Sequence, residues 1–205
     1  MKKINFFNIR VGLACNSSSS HSILFLPNYN QKINTDEYSD FHWNFFTASD
    51  KESKNNYLYA LIENAFRQLV PPSDKDAFYQ KFFGDLTSIN KDASIDHQSV
   101  VTLPSKLDGS INTEFIEDFQ KFLLQDTVVI VGGNDNDEES HYLKGSEQSN
   151  LDIIPLESDS SNWLARKDKK YDFWTLFNKE NGSKVRFSFN DLVNAPTKAS
   201  SPELV

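Results

Sequence analysis

A run of seven polar residues near the start of the chain carries the residue types best suited to chemistry. It lies between the stretches Ile9–Cys15 and Ile23–Pro27 and reads Asn16-Ser17-Ser18-Ser19-Ser20-His21-Ser22. Because the second flank is typical of a buried strand, the polar run is predicted to form a tight loop between strands. Hydroxyls, consecutive backbone N–H groups and an imidazole suit an anion such as a phosphate or a carboxylate. We predict a ligand-binding loop over residues 16–22, with a polar structural turn as the alternative.

Ser20 and His21 are also the candidates for a catalytic nucleophile and its base. A nucleophilic serine needs a positioned base and an acid that orients this base, and Asp135 or Asp137 could supply the acid. The Gly-x-Ser-x-Gly turn of many hydrolases is absent from the sequence. The sequence therefore offers the parts of a small hydrolase or phosphoryl-handling enzyme without establishing a triad.

An acidic segment that follows two glycines is the candidate metal site. Oxygen atoms of Asp135 and Asp137 suit Mg²⁺ or Ca²⁺, and His141 lies nearby for a transition metal. The spacing of an EF-hand is not met, because the required glycine and terminal glutamate are missing. We favour a solvated acidic loop over a metal site here.

Two further residues with reactive side chains have plainer interpretations. His42 lies in an aromatic segment, where a packed and hydrogen-bonded histidine is the usual outcome. Cys15 is the single cysteine, and a small buried thiol is expected. One cysteine also excludes an internal disulfide and a cysteine-held iron–sulfur cluster within this chain, and it fits a reducing cytoplasm.

The elements that must position these residues follow from periodicity and capping signals. Three helices are predicted, the first two as a hairpin: from Ser49–Ser53 to Leu69, from an N-cap at Ser73 through Phe83 to Gly84, and from Thr113 to Gln125. A buried strand is predicted over Thr127–Val131, and a β-hairpin over Tyr171–Asn178 and Ser183–Phe189 around the turn Asn181-Gly182. We expect a single α/β or α+β domain over residues 1–193 with a mixed sheet, followed by an extended linker over residues 194–205.

Composition limits the classes of partner. The 205 residues include 21 basic and 29 acidic side chains, for a net charge of −8, which disfavours binding to duplex nucleic acid. Local basic patches such as Arg166-Lys167 with Lys169-Lys170 are still compatible with this charge. No secretory signal or apolar run of about 18–20 residues is present, so we expect a cytoplasmic protein without a membrane partner. The core is expected to be aromatic, since the chain has 17 Phe, 7 Tyr and 3 Trp.

Two segments resemble known families. The stretch Gly12–Ser22, together with Phe41–Tyr57, resembles a signature of uncharacterised bacterial and phage proteins. Ser201-Pro202-Glu203-Leu204-Val205 resembles the phrase that opens the first barrel strand in many radical S-adenosylmethionine (radical SAM) enzymes, just before their Cys-x-x-x-Cys-x-x-Cys loop. This resemblance implies an amino-terminal accessory domain, with S-adenosylmethionine and a four-iron cluster held only by a downstream barrel.

Three functions are compatible with these observations. The first is a noncatalytic domain that recognises a substrate, a peptide or a protein partner for a radical SAM barrel through residues 16–22. The second is the small hydrolase or phosphoryl-handling enzyme that uses Ser20 and His21. The third is a phage or bacterial interaction protein, which needs no chemistry.

Overall fold

A computed structural model describes residues 9–11, 19–25, 40–42, 46–95, 103–134, 163–180 and 182–194 of the chain. Nine strands are described: β1 Ile9–Val11, β2 Ser19–Phe25, β3 Asp40–Phe41, β4 Phe46–Ala48, β5 Ser94–Ile95, β6 Val128–Asn134, β7 Trp163–Asp168, β8 Phe173–Asn178 and β9 Lys184–Phe187. Four α-helices accompany them: α1 Lys51–Ala65, α2 Lys75–Phe83, α3 Thr113–Leu123 and α4 Phe189–Asn194.

Side-chain caps set where the first two helices begin. Asp50 accepts a hydrogen bond from the backbone N–H of Ser53 at 2.9 Å and caps α1, which ends at Ala65 rather than at the predicted Leu69. The predicted N-cap of α2 at Ser73 is wrong by one residue, because Asp74 accepts from the N–H of Ala77 at 2.9 Å. An aspartate carboxylate also complements the positive end of a helix, which a serine hydroxyl does not.

Aromatic side chains hold α1 and α2 together as the predicted helical hairpin. The rings of Tyr59 and Tyr79 lie 5.1 Å apart, and those of Phe66 and Phe78 lie 5.5 Å apart. The hydroxyl of Tyr79 donates a short hydrogen bond to Glu63. Edge-to-face and tilted ring pairs of this kind contribute beyond the apolar area they bury.

The third helix turns its apolar face fully into the core. Asn112 caps α3 by accepting from the N–H of Phe115 at 3.1 Å, and the helix ends at Leu123, two residues before the predicted Gln125. The side chain of Lys54 on α1 is 2% exposed and donates to the Gln125 carbonyl at 2.9 Å. Burial lowers the pKa of this ammonium group. Lys54 thus satisfies a carbonyl just beyond the end of α3.

Four antiparallel strands form one sheet in the order β1-β2-β6-β4. The prediction of an interior strand after α3 is confirmed, although β6 continues past Val131 to Asn134. The prediction that residues 16–22 form a loop is wrong for residues 19–22. These four residues belong to β2. All four pair with β6, and His21 and Ser22 also pair with β1, so their backbone groups form hydrogen bonds within the sheet and not with water.

The C-terminal sheet consists of β7, β8 and β9 in that order, all antiparallel. The predicted β-hairpin is its β8–β9 half, and β7 is an additional strand. Gly182 in the connecting turn has φ +72°, the left-handed region that favours glycine. Asn194, predicted to begin a linker, is the last residue of α4; the rest of that predicted linker lies outside the described residues.

The three described sheets and the helices share one core. Its described apolar residues form a single cluster that extends from Ile23 on β2 to Phe189 on α4. Among the described strands, parallel pairing is confined to the short pair β3–β5. The fold is therefore a single-domain α+β arrangement, the second of the two predicted classes.

Candidate functional site

The pairing of β2 with β6 brings together the two segments that the sequence singled out. His21 lies opposite Gly132, Ser20 opposite Gly133, and Ser19 opposite Asn134. These positions are far apart in the chain, and only the antiparallel register makes them neighbours. We call these six residues the β2–β6 end.

Glycine at two successive positions of an interior strand is unusual. Gly132 and Gly133 contribute no side chains beside Ser20 and His21, and glycine within a strand often marks a place where a ligand or another backbone approaches closely. On the other side of β6, Gly132 pairs with Phe46, which is buried in the core. The β2–β6 end thus adjoins the core on the β4 side of the sheet.

The remaining sequence candidates divide into two groups. His42 is hydrogen-bonded, with its Nε2 3.0 Å from the hydroxyl of Ser94, and this confirms the packed-histidine interpretation. The others lie outside the described residues: Cys15, Asn16, Ser17, Ser18, Asp135, Asp137 and His141. Within the described part of the chain, no group of three or more His, Cys, Asp or Glu side chains is placed to hold a metal ion.

A second candidate site lies on the C-terminal sheet, on the side away from the core. Alternation along β8 buries Trp174 and Leu176 and leaves Phe173, Thr175 and Phe177 half-buried on the other side. We call this second side the outer face. It was not singled out from the sequence, although its alternation was visible once the hairpin was predicted.

Cross-strand register extends the outer face over all three strands. Thr175 lies between Arg166 on β7 and Arg186 on β9. Phe177 lies between Leu164 on β7 and Lys184 on β9. Across the three strands, a row of two arginines and a threonine therefore lies next to a row that contains leucine, phenylalanine and lysine.

Each ring of the outer face has a cation beside it. The guanidinium of Arg186 lies 4.1 Å from the centre of the Phe173 ring. The ammonium group of Lys184 lies 5.7 Å from the centre of the Phe177 ring. Cations at these distances are attracted by the ring quadrupole. The contacts hold two exposed basic side chains against the sheet.

The outer face forms one wall of a groove of about 1060 Å³. Six basic side chains line this groove: Lys106, Arg166, Lys167, Lys169, Lys184 and Arg186. Asp168 is the one carboxylate among its lining residues. Within a chain whose net charge is −8, the groove is a concentrated positive region.

Buried contacts fix the sheet beneath the groove. Asp118 on α3 accepts from the Lys167 ammonium group at 2.6 Å and from the Trp174 indole N–H at 3.1 Å. Burial disfavours the ionised form of Asp118, but these hydrogen bonds outweigh burial and lower its pKa. The bond to Asp118 raises the pKa of Lys167. Lys167 is thus neutralised from the core side. The ammonium group of Lys169 lies 3.8 Å from a carboxylate oxygen of Glu114, so most of the groove's positive charge comes from the other four: Lys106, Arg166, Lys184 and Arg186.

Comparisons with protein-family models, with curated proteins and with solved structures find no match to this chain. No helix in the described ranges is long and apolar enough to cross a membrane.

Proposed function

We propose that this chain is a noncatalytic recognition domain that holds an extended anionic partner in the groove of the C-terminal sheet. The observation that carries the proposal is the lining of the groove. Two of its basic side chains, Lys167 and Lys169, pair with carboxylates on α3, and the other four contribute positive charge beside a single lining carboxylate. Segregation of charge on this scale favours a partner of opposite sign and speeds its encounter with the site. An extended partner suits the groove because the basic residues of the groove are spread over β7, β9 and the loop at Lys106.

Charge reversal tests this proposal. The double variant Arg166→Glu/Arg186→Glu places two carboxylates in the middle row of the outer face, and we expect it to bind inorganic polyphosphate at least about tenfold more weakly. The matched control is Lys51→Glu/Lys91→Glu, which makes the same charge change at exposed positions outside the groove. Equal loss in both double variants would show that net charge, and not the groove, governs binding.

The association with a radical SAM barrel is part of the same proposal and is supported by the sequence alone. Residues 201–205 resemble the opening of such a barrel, and an anionic substrate held by the groove would then be presented to the downstream enzyme. The coding sequence after Val205 tests this: three cysteines in Cys-x-x-x-Cys-x-x-Cys spacing support it, and their absence counts against it.

A second candidate function is hydrolysis or phosphoryl handling at the β2–β6 end. The observation in its favour is the register that sets Ser20 and His21 beside Gly133 and Gly132. On this proposal the Ser20 hydroxyl attacks the acyl carbon or the phosphorus of an ester and gives its proton to a base, and the alcohol leaves as the ester bond breaks. His21 is the candidate base from the sequence, although successive positions of a strand lie on opposite faces of the sheet. Purified protein is assayed on p-nitrophenyl phosphate and p-nitrophenyl acetate. Activity that survives both Ser20→Ala and His21→Ala in folded protein would remove this candidate.

A further inference from the structure

We infer that the anionic partner of the groove is a single-stranded nucleic acid whose bases stack on the outer face. This inference rests on the proposed recognition function and names its substrate class. It draws on a second property of the outer face, its aromatic rings, which a purely electrostatic site does not need. Phe177 lines the groove, and Phe173 lies on the same side of β8 beyond the lining residues.

The rings are spaced along one strand in a way that suits successive stacking. Phe173 and Phe177 lie on the same side of β8, about 13 Å apart along the strand at its usual rise per residue. Both side chains are half-buried, so packing fixes each ring. Phe177 lines the groove and can take a base directly. The Arg186 guanidinium lies 4.1 Å from the centre of the Phe173 ring, so a base at that position stacks on the guanidinium, with the ring beneath it. Bases with exposed faces stack on such rings with little dependence on sequence.

The cations lie where a phosphate backbone between stacked bases would need them. Arg166 and Arg186 flank Thr175, the residue midway between the two rings. A guanidinium offers paired N–H donors to phosphate and a flat surface to a base. The hydroxyl of Thr175 adds a donor to the same row.

Other polyanions make poorer use of this surface. Duplex bases are stacked inside the helix and cannot reach Phe173 or Phe177 without being extruded. An acidic peptide would satisfy the cations but bring no flat rings to the aromatic positions. A single strand supplies both the charge and the stacking surface.

The test is fluorescence anisotropy with a labelled oligouridylate of about ten nucleotides, a length within the range of single-strand sites. We expect Phe177→Leu, which keeps apolar volume and removes the ring, to weaken binding about fivefold to a hundredfold. Arg186→Gln is expected to weaken binding and to reduce its dependence on salt. The matched control is Phe83→Leu, a half-buried ring on α2 away from the groove, which should leave affinity unchanged.

The outcomes separate the two proposals. If polyphosphate binds but both Phe177→Leu and Phe173→Leu retain full affinity for the oligouridylate, the recognition function stands and the nucleic-acid inference is overturned. Tighter binding to a duplex of equal length or to polyglutamate also overturns the inference. If no polyanion binds the groove, both proposals fail. Should Phe177→Leu not fold, Phe173→Leu and Arg186→Gln carry the test.

Discussion

Asp118 joins α3 to the C-terminal sheet through its bonds to Lys167 and Trp174. Asp118→Asn removes the shorter of two carboxylate contacts of Lys167, a side chain only 17% exposed, and leaves its ammonium group with the more exposed Asp172 at 3.1 Å. We expect the free energy of unfolding to fall by about 1–3 kcal/mol in urea denaturation. Glu117→Gln on the same helix is the control, since its pair with Lys81 is more exposed and contributes less. Equal losses would show that the Asp118 network contributes no more than a surface pair.

The same network predicts a pH dependence with a definite sign. The folded-state pKa of Asp118 is lowered, so its contribution is present above its unfolded pKa of about 4 and is lost as the pH falls through the folded value. The raised pKa of Lys167 keeps its contribution complete below about pH 10, with loss at higher pH. The difference in unfolding free energy between wild type and Asp118→Asn should therefore shrink in acid; a difference that is constant down to pH 2 contradicts this assignment.

The β8–β9 turn depends on a glycine in the left-handed region of backbone conformation. Gly182 has φ +72°, and a Cβ added there would meet no atom within 4 Å. Gly182→Ala therefore introduces conformational strain without a clash, and we expect it to lower the unfolding free energy by about 1–2 kcal/mol. Gly182→Asn, whose side chain tolerates this region, should lose less. Thermal denaturation of both variants measures the two losses. A larger loss for Gly182→Asn than for Gly182→Ala would show that side-chain size, and not tolerance of the left-handed region, decides the effect.

Elements fixed by local signals were predictable from the sequence, and those fixed by pairing were less so. The helices α1, α2 and α3 follow from apolar spacing and nearby caps. Gly84 marks the end of α2, and Gly182 marks the β8–β9 turn. The strand β7 escaped prediction because Arg166, Lys167 and Asp168 mask the burial of Trp163, which only pairing with β8 reveals. The polar run over Ser19–Ser22 likewise carries no strand signal of its own, and only its pairing with β6 places it in β2.

The candidate sites also combine features visible in the local sequence with features set by strand pairing. The residues of the β2–β6 end were identified from their types, but their adjacency depends on a register between distant segments. The basic segment Arg166–Lys170 was also visible. Its meaning changes in the fold, because Lys167 turns toward Asp118 whereas Arg166 joins Arg186 across the outer face. The sequence therefore shows which residues are charged. The pairing of the strands decides that Lys167 contributes to a half-buried ion pair and that Arg166 contributes to the outer face.

At the scale of the whole molecule, net charge is a poor guide to what the surface offers. The chain is acidic overall, yet basic side chains outnumber carboxylates among the lining residues of its groove. The low content of basic residues that disfavours duplex binding is compatible with a single strand in this groove, since a single strand also gains from base stacking on aromatic side chains. Distribution of charge, which only the fold determines, decides the class of partner.

The shared core predicts that the molecule unfolds as one unit. Phe189 on α4 is 8% exposed and packs against rings on α3 and β9, with centroid distances of 5.2 Å to Phe122 and 5.1 Å to Phe187. Phe189→Ala leaves a cavity where these elements meet, and we expect a loss of about 3–5 kcal/mol. Tyr171→Ala, at a ring that is 56% exposed, should change stability little.

Two probes follow this unfolding in different parts of the fold. Two of the three tryptophans, Trp163 and Trp174, lie in the C-terminal sheet, whereas far-UV circular dichroism is dominated by helices such as α1 and α3. Because α3 packs on both β6 and Trp174, we expect Phe189→Ala to lower the urea midpoint equally by both probes. A tryptophan transition that moves alone would show that the C-terminal sheet, and the groove it carries, unfolds independently of the four-stranded sheet.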